Sequence, residues 1–228
     1  MLMLNDMNID FYRVHSREML EEAFALVKEE YKKEKYIDAG AEPEIPSYNF
    51  LPTSATFVAK MDDAVVGMIT LVEDGDEGLP MESIYGEEIG RLRNRKKKMA
   101  EISQLAISRG EETMDDGHYR KFRSKILLAL FRLVYFFSKC EGIECLCITI
   151  NPKHESFYES IGFESIGGLK TYPRVNNAPA LAKMLNMRNV SLQQKDVGFV
   201  FQEILKNPLS REDFSRSGPQ KAIFSLES

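Results

Sequence analysis

Apolar positions along the chain change period several times, and each change marks an element. "NIDFYRVH" alternates like a strand, and Ser16 then offers an N-cap to a stretch in which Met19, Leu20, Ala23, Phe24, Val27 and Tyr31 keep helical spacing. Residues 38 to 54 hold Pro43, Pro46 and Pro52 among polar neighbours, which predicts a loop over the surface. "ATFVAKMDDAVVGMITLVED" reads as a hairpin turning at Asp62 and Asp63. "AEISQLAIS" is a further strand, "YRKFRSKILLALFRLVYFFSKCE" a long helix, and "IECLCITI" a strand apolar on both faces, as a sheet centre requires. "ESFYESIGF" predicts a short helix and "ESIGGLKTY" an outer strand. The predicted order is β, α, β, β, α, β, α, β, α, β, which belongs to the mixed α/β (α+β) class. Beyond Tyr172, "PRVNNAPALAKMLNMRNV" and "VGFVFQEILKN" predict appended helical or mixed elements, and the closing "PLSREDFSRSGPQKAIFSLES", without a period, predicts a peripheral segment.

A chain of 228 residues with 43% hydrophobic content buries enough for one large domain, read as residues 1–185, with an extension over 186–228 packed on it. The net charge of −5 gives no global field for nucleic acid. Asp6 and Asp10 interrupt what a signal peptide needs, so export is not expected. The longest apolar run, Ile126 to Phe137, contains Arg132 and falls well short of the roughly 20 residues that cross a bilayer, so no transmembrane segment is predicted. Cys140, Cys145 and Cys147 lack zinc-site partners, and His15, His118 and His154 are scattered, so no metal is expected. Reduced structural thiols fit a cytoplasmic protein.

Charge is strongly segregated. Glu73 to Glu88 carries seven acidic residues and no basic one, whereas "RLRNRKKK", Arg91 to Lys98, carries six basic residues. A second basic run, "HYRKFRSK", opens the long helix at His118.

The pattern of a central apolar strand, then Asn151, Phe157, Tyr158, Gly162 and Phe163 spaced as Asn-x(5)-Phe-Tyr-x(3)-Gly-Phe, then an outer strand, resembles the acyl-coenzyme A binding half of the GNAT N-acyltransferases. "VGMITLVEDGDEGLPMESIYGEEIGRLRNRKKKMAEISQLAI", followed by "NPKHESFYESIGFESIG", looks like the FeeM-type N-acyl amino acid synthases, a bacterial branch related to the acyl-homoserine-lactone synthases, over roughly residues 10 to 185. The resemblance implies a GNAT-like, mostly antiparallel sheet flanked by helices. "EISQLAI" is similar to the Glu-x-Ser-Arg-aromatic strand of the lactone synthases, with Gln104 in place of their Arg, which argues against S-adenosylmethionine as acceptor.

Direct transfer from a thioester to an amine needs a base, oxyanion donors and an acid for the departing sulfur. Glu101, a carboxylate inside an apolar strand, is the expected base, and Ser103, on the same face by period-two alternation, is expected to hold a water or substrate. Tyr158, near the start of a helix that this fold points at the sulfur, is the expected acid, and His154 is expected to orient it or touch substrate. Oxyanion donors are expected from backbone N–H groups where the Glu101 strand splays from the "CITI" strand. Plainer readings stand beside these: Glu101 ion-paired to an Arg, Ser103 bonded to backbone, Tyr158 only packing, His154 capping. Gln104 and Asn151 complete the substrate-binding set, and an Arg, from Arg93, Arg91 or Arg174, would hold the acceptor's carboxylate.

The place of the GNAT pyrophosphate loop reads "SRGEETMDDGHYRK", with Gly110 and Gly117 at the wrong spacing and Glu111, Glu112, Asp115 and Asp116 crowding the phosphates. That disfavours coenzyme A and favours acyl-phosphopantetheine on acyl carrier protein as co-substrate, with no permanently bound cofactor. Carrier proteins are acidic, so Arg91, Arg95, Lys96, Lys97 and Lys98, together with Arg120 and Lys121, are the expected docking residues. The expected partners are acyl carrier protein and a small amine, most simply an amino acid. Two rival functions fit the same pattern: a conventional acetyl coenzyme A-dependent acetyltransferase and a non-catalytic module that binds acyl carrier protein.

Overall fold

The computed structural model describes residues 8–95, 97–109, 116–192, 202, 204–216 and 221–227. Asp6, Lys96, Gly110, Glu111, Glu112 and Asp115, named above, lie outside them, as does the start of "VGFVFQEILKN". Strand β1 (Asn8–Arg13) leads into α1 (Arg17–Lys33), whose first turn is capped as expected: the Ser16 hydroxyl accepts from the Met19 N–H at 3.2 Å. Strands β2 (Ser54–Met61) and β3 (Ala64–Glu73) form the predicted hairpin. Asp62 and Asp63 both take left-handed backbone angles, φ 48° and 64°, which give the tight turn the twist of the strands it joins. Then come α2 (Glu82–Arg93), β4 (Met99–Ile107), α3 (Asp116–Cys140), β5 (Cys145–Ile150) and α4 (Glu155–Ser160).

The outer part of the sheet departs from the predicted order. "ESIGGLKTY" contributes two short strands, β6 (Glu164–Ser165) and β7 (Lys170–Tyr172), and both pair with β8 (Ala178–Asn186). It is β8, not "ESIGGLKTY", that lies beside β5, antiparallel along the whole of it. Its sequence, "APALAKMLN", is rich in helix formers and opens with prolines nearby; a buried slot beside β5 overrides that local preference. The C-terminal residues also return to the sheet. Phe214 of α6 (Arg211–Arg216, after α5, Met187–Leu192) packs against Phe57 and Phe137, and β9 (Phe224–Glu227) pairs with β1, where Phe224 stacks on Phe11.

The sheet order is β6-β8-β5-β4-β3-β2-β1-β9, antiparallel except at one seam. That seam is β4 against β5, joined by the α3 crossover that parallel neighbours need. α1 and α2 cover one face: Phe24 and Val27 meet Val58, Met68 and Ala106, while Tyr85 and Ile89 meet Met99, Cys145 and Cys147. α3 and α4 cover the other, over Leu146, Ile148 and Ile150. Strand β5 is thus apolar on both sides because both sides are core.

Candidate active site

The β4–β5 seam is short. Pairing runs from Met99↔Cys145 to Ile102↔Ile148 and stops, although β4 continues to Ile107 and β5 to Ile150. On its other edge β4 stays bound to β3, but the register shifts between Thr70 and Leu71: Leu71 faces Ile102 and Thr70 faces Gln104, leaving Ser103 as the extra residue of a bulge. The two strands therefore part at Ser103 and Thr149.

A cavity lies on each face of the sheet beside this split. On the α1/α2 face, about 200 Å³ is walled by Glu101, Gln104, Tyr48, Tyr172 and Arg174. On the α3/α4 face, about 550 Å³ is walled by Arg120, Arg123, Leu127, His154, Phe157 and Tyr158. Both touch Ser103, Thr149, Ile150 and Asn151, so the split is their common wall. We refer to them as the Glu101 cavity and the Tyr158 cavity.

Glu101 is 2% exposed, and its Oε2 accepts the Met81 N–H at 2.7 Å. Burial pushes its pKa up from the ordinary 4.5 to about 8; the Met81 N–H and the Arg174 charge act the other way, and Glu82 adds slightly to the rise. Among the described residues it has no ion-pair partner, so the plainer expectation of a structural Arg–Glu101 bridge is not what the structure contains. Ser103 lies beside the Tyr48 phenol, which burial pushes up to about 12 while Ser103 acts in the opposite sense. The bulge also alters the alternation on which Ser103 was expected to share a face with Glu101: Ser103 lines both cavities, and Gln104 joins Glu101 in its cavity. The Gln104 Oε1 accepts from Asn49 Nδ2 at 2.9 Å.

Tyr158 is buried in α4 with Phe131, Phe157 and Phe163 edge-on around it, and burial holds its pKa above the ordinary phenol value. Gly162, at φ +87°, ends the helix in a conformation that favours glycine and turns the chain toward β6. Asn151 caps the turn before α4 by accepting the Lys153 N–H at 3.1 Å. His154 is an exposed residue on the wall of the Tyr158 cavity, and its pKa is lowered by partial desolvation there, then by the charges of Lys153 and Arg123.

The structure does not bring Arg93 to either cavity. Its guanidinium donates to both carboxylate oxygens of Asp74, at 2.9 and 2.8 Å, and to both of Glu82, at 3.1 and 2.5 Å. Arg91, an exposed residue of α2, lines neither cavity. Arg174 does, in the Glu101 cavity, and among the described residues no carboxylate is ion-paired with it. The two basic runs sit at opposite ends of β4: Arg95, Lys97 and Lys98 precede its first residue, whereas Arg120 and Lys121 are near the start of α3, beyond its last. Nine strand residues separate them, roughly 30 Å. Lys98 is also occupied, paired with Glu73 at 2.8 Å and donating to the Glu141 carbonyl at 3.0 Å.

Tyr48, Tyr172 and Thr149 escaped the sequence reading. Thr149 follows the last residue of β5 paired with β4, lines both cavities, and its buried hydroxyl has no hydrogen-bond partner among the described residues. Tyr48 sits in the proline-framed loop, where a single aromatic gives no signal until the loop is seen folded over the strand.

An open sheet split between two parallel strands, with helices on both faces and cavities meeting at the split, is the architecture of the GNAT N-acyltransferases. A family model described as N-acyl amino acid synthase FeeM matches residues 22–186, and the chain belongs to that family. It is an N-acyltransferase. Among solved structures, FeeM, an N-acyl amino acid synthase from uncultured soil microbes, matches at 28% identity and a TM-score of 0.69, over 85% of this chain and 97% of that one. The acyl-homoserine lactone synthase BjaI, described as CoA-dependent, matches at 16% identity and a TM-score of 0.60, over 86% and 89%. An N-acetyltransferase from Staphylococcus aureus shares the fold at 13% identity and a TM-score of 0.51, over 79% and 99%. A search of curated proteins returned no match. No helix among the described residues is long and apolar enough to cross a membrane, and among them no group of three or more His, Cys, Asp and Glu residues is arranged to hold a metal ion.

Proposed function

We propose that this chain moves a fatty acyl group from the thioester of acyl carrier protein to the amino group of an amino acid, in one direct displacement. The observation that carries this reading is a buried carboxylate, Glu101, without an ionic partner among the described residues, beside the point where two strands part and two cavities meet.

The thioester would enter the Tyr158 cavity and the amine the Glu101 cavity. Glu101, with a pKa of about 8, suits a group that takes a proton from an ammonium near neutral pH. The neutral nitrogen attacks the thioester carbon, forming the C–N bond, and the carbonyl oxygen becomes an oxyanion. Backbone N–H groups of β4 past Ile102, no longer opposed by β5 carbonyls, are suited to receive it. The C–S bond then breaks as the Tyr158 hydroxyl gives its proton to the sulfur, and the second proton shed by the attacking nitrogen, passed through solvent, restores the Tyr158 phenol and leaves a neutral amide. The raised pKa of Tyr158 keeps its proton in place until a stronger base than water appears. Glu101 returns its proton to solvent. Arg174, at the rim of the Glu101 cavity, is the reading's choice for the acceptor carboxylate.

Acyl carrier protein is preferred to coenzyme A because the sequence lacks the glycine-rich pyrophosphate loop and because Arg120, on the wall of the Tyr158 cavity, and Lys121, the next residue of α3, carry charge suited to an acidic partner. BjaI, a structural relative described as CoA-dependent, makes acyl-CoA the rival donor. The test is to give purified protein acyl carrier protein or acyl-CoA thioesters with a mixture of amino acids, and to identify products by mass spectrometry. N-acyl amino acids formed faster from the carrier are expected. Acylated amine from neither donor would defeat the reading, and faster turnover with acyl-CoA would replace the donor.

A further inference from the structure

The Tyr158 cavity has walls of different chemistry. Its outer part is charged, with Arg120 and Arg123 beside Arg109, which is ion-paired to Glu30 and Glu34, and the split leads to the polar Glu101 side. Its inner end is apolar: Leu127 of α3, Ile148 of β5, Phe157 and Tyr158. With Ile102 and Leu105 of β4 also on its wall, this end rewards a hydrocarbon chain.

Beyond it lies a second, smaller void of about 10 Å³, walled by Phe131, Val134, Leu146, Ile161, Phe163 and neighbouring apolar side chains. The two spaces lie on one line. From Leu127 to Phe131 is four residues of α3, about one helical turn, and from Ile148 to Leu146 is two residues of β5 on the same face, a similar step. Both walls of the α3–β5 interface thus advance together from the larger space to the smaller. What divides them is aromatic. The Phe131 ring meets Phe157 at 5.8 Å and Tyr158 at 5.9 Å, and Tyr158 meets Phe163 at 5.7 Å, all edge-on. The void behind this partition is apolar and at the lower limit for one water, so it is a dry packing defect that an alkyl terminus can fill once the partition is thinned.

We infer that the acyl chain of the donor runs between α3 and β5 with Phe131 as its end stop, so that this side chain sets the longest acyl group the protein accepts. The inference rests on the thioester entering the Tyr158 cavity as proposed above. It adds the path of the chain and a residue that determines specificity. Each further methylene accommodated in apolar surroundings is worth roughly fourfold in affinity.

The test uses the full chain and its Phe131→Leu and Phe131→Ala variants. Binding of the saturated fatty acid series from octanoate to stearate is read by displacement of a fluorescent fatty acid. Product ratios are read by mass spectrometry from mixed acyl carrier proteins of the same lengths. In the wild type, affinity should climb with length and then level. Each variant should move that break to longer chains, Ala further than Leu, and raise the ratio of the longer to the preferred product by about tenfold or more, the value of about two methylenes. A ratio within one variant is unaffected by partial loss of folded protein, and Phe131→Leu retains most of the packing should Phe131→Ala fail to fold. A break at the same length in both the wild type and a folded Phe131→Leu overturns the inference. So does a break moved by Val27→Phe, which narrows the Glu101 cavity instead and would place the chain across the split. If fatty acids show a break that Phe131 controls while no N-acyl product forms, the end stop stands and the proposed reaction falls; product with an unmoved break has the opposite meaning.

Discussion

Among the described residues of this sheet one lysine and one glutamate are buried, and their surroundings could hardly differ more. Lys183 of β8 is 0% exposed, and its ammonium reaches Glu155 at 2.8 Å, Glu159 at 2.9 Å and the Ser165 hydroxyl at 3.0 Å. Burial alone lowers its pKa, but the hydrogen bonds and charges of the two glutamates outweigh this and the net shift is upward. Glu101 of β4 is as deeply placed and has one backbone N–H. A buried charge with its partners is a structural strut; a buried charge without them is held at a cost in stability, which folding proteins rarely bear without a chemical use. Under the proposed mechanism, that difference separates a structural ion cluster from the base.

The largest expected effect breaks that comparison at Glu101. Glu101→Gln keeps the shape and removes the proposed base, so kcat should fall by about 10²-fold or more while the protein stays folded. Stability should also respond to pH in a defined sense. Between about 4.5 and about 8 the folded state keeps a proton on Glu101 that the unfolded chain has released. The group's contribution therefore declines as pH rises through that window and is lowest above it, and Glu101→Gln should flatten the decline in melting temperature. Turnover should run the other way, rising with pH toward a plateau above about 8 as the carboxylate forms. An E101Q variant with wild-type turnover removes Glu101 from the mechanism.

At Lys183 the pattern should invert. Lys183→Ala empties a buried site and releases two carboxylates, costing about 2–4 kcal/mol of stability by chemical denaturation. Turnover per folded molecule should stay within about threefold, because the ammonium faces α4 and not the split. A kcat loss matching that of E101Q would show that α4 needs Lys183 to hold Tyr158 in position, and the two buried charges would no longer divide so cleanly.

The same contrast exists between two arginines. Arg93 is tied to Asp74 and Glu82, whereas Arg174 lines the Glu101 cavity without an ion pair among the described residues. Arg174→Ala should raise KM for the amino acid by about tenfold or more, the worth of one charge-assisted hydrogen bond, with kcat little changed. Arg93→Ala should leave that KM within about twofold. Equal effects at both would return the acceptor's carboxylate to an open question.

How much of this was legible in sequence follows from what each feature depends on. The hairpin at Asp62 and Asp63, the Ser16 cap, and the two-faced β5 are local or periodic, and composition within a few residues specifies them. The burial of Glu101 was legible because a carboxylate in an apolar strand is carried into the core with its neighbours. The bulge at Ser103 was not, since it is a mismatch of register between β3 and β4 and belongs to neither sequence alone. Strand β8 was misread because Ala, Leu, Lys and Met favour helix, and only the open edge of β5 makes them a strand. Arg93 and Arg174 could not be ranked, because ranking requires knowing which carboxylates fold against them.

The smallest expected effect concerns the surface, where pairing and position again decide. Arg120 and Lys121 are exposed at the end of β4 where the Tyr158 cavity lies, while Arg95 and Lys97 are at its far end, roughly 30 Å away. At that range exposed charges are beyond several Debye lengths at ordinary ionic strength. Reversing Arg120 and Lys121 to Glu should raise KM for acyl carrier protein about fivefold at low salt, shrinking toward twofold as salt is added, with kcat unchanged. Reversing Arg95 and Lys97 should shift it by less than about twofold under the same conditions. If the second pair has the greater effect, the carrier approaches along the length of β4 instead of at the mouth of its cavity, and its phosphopantetheine must reach the split from the other end.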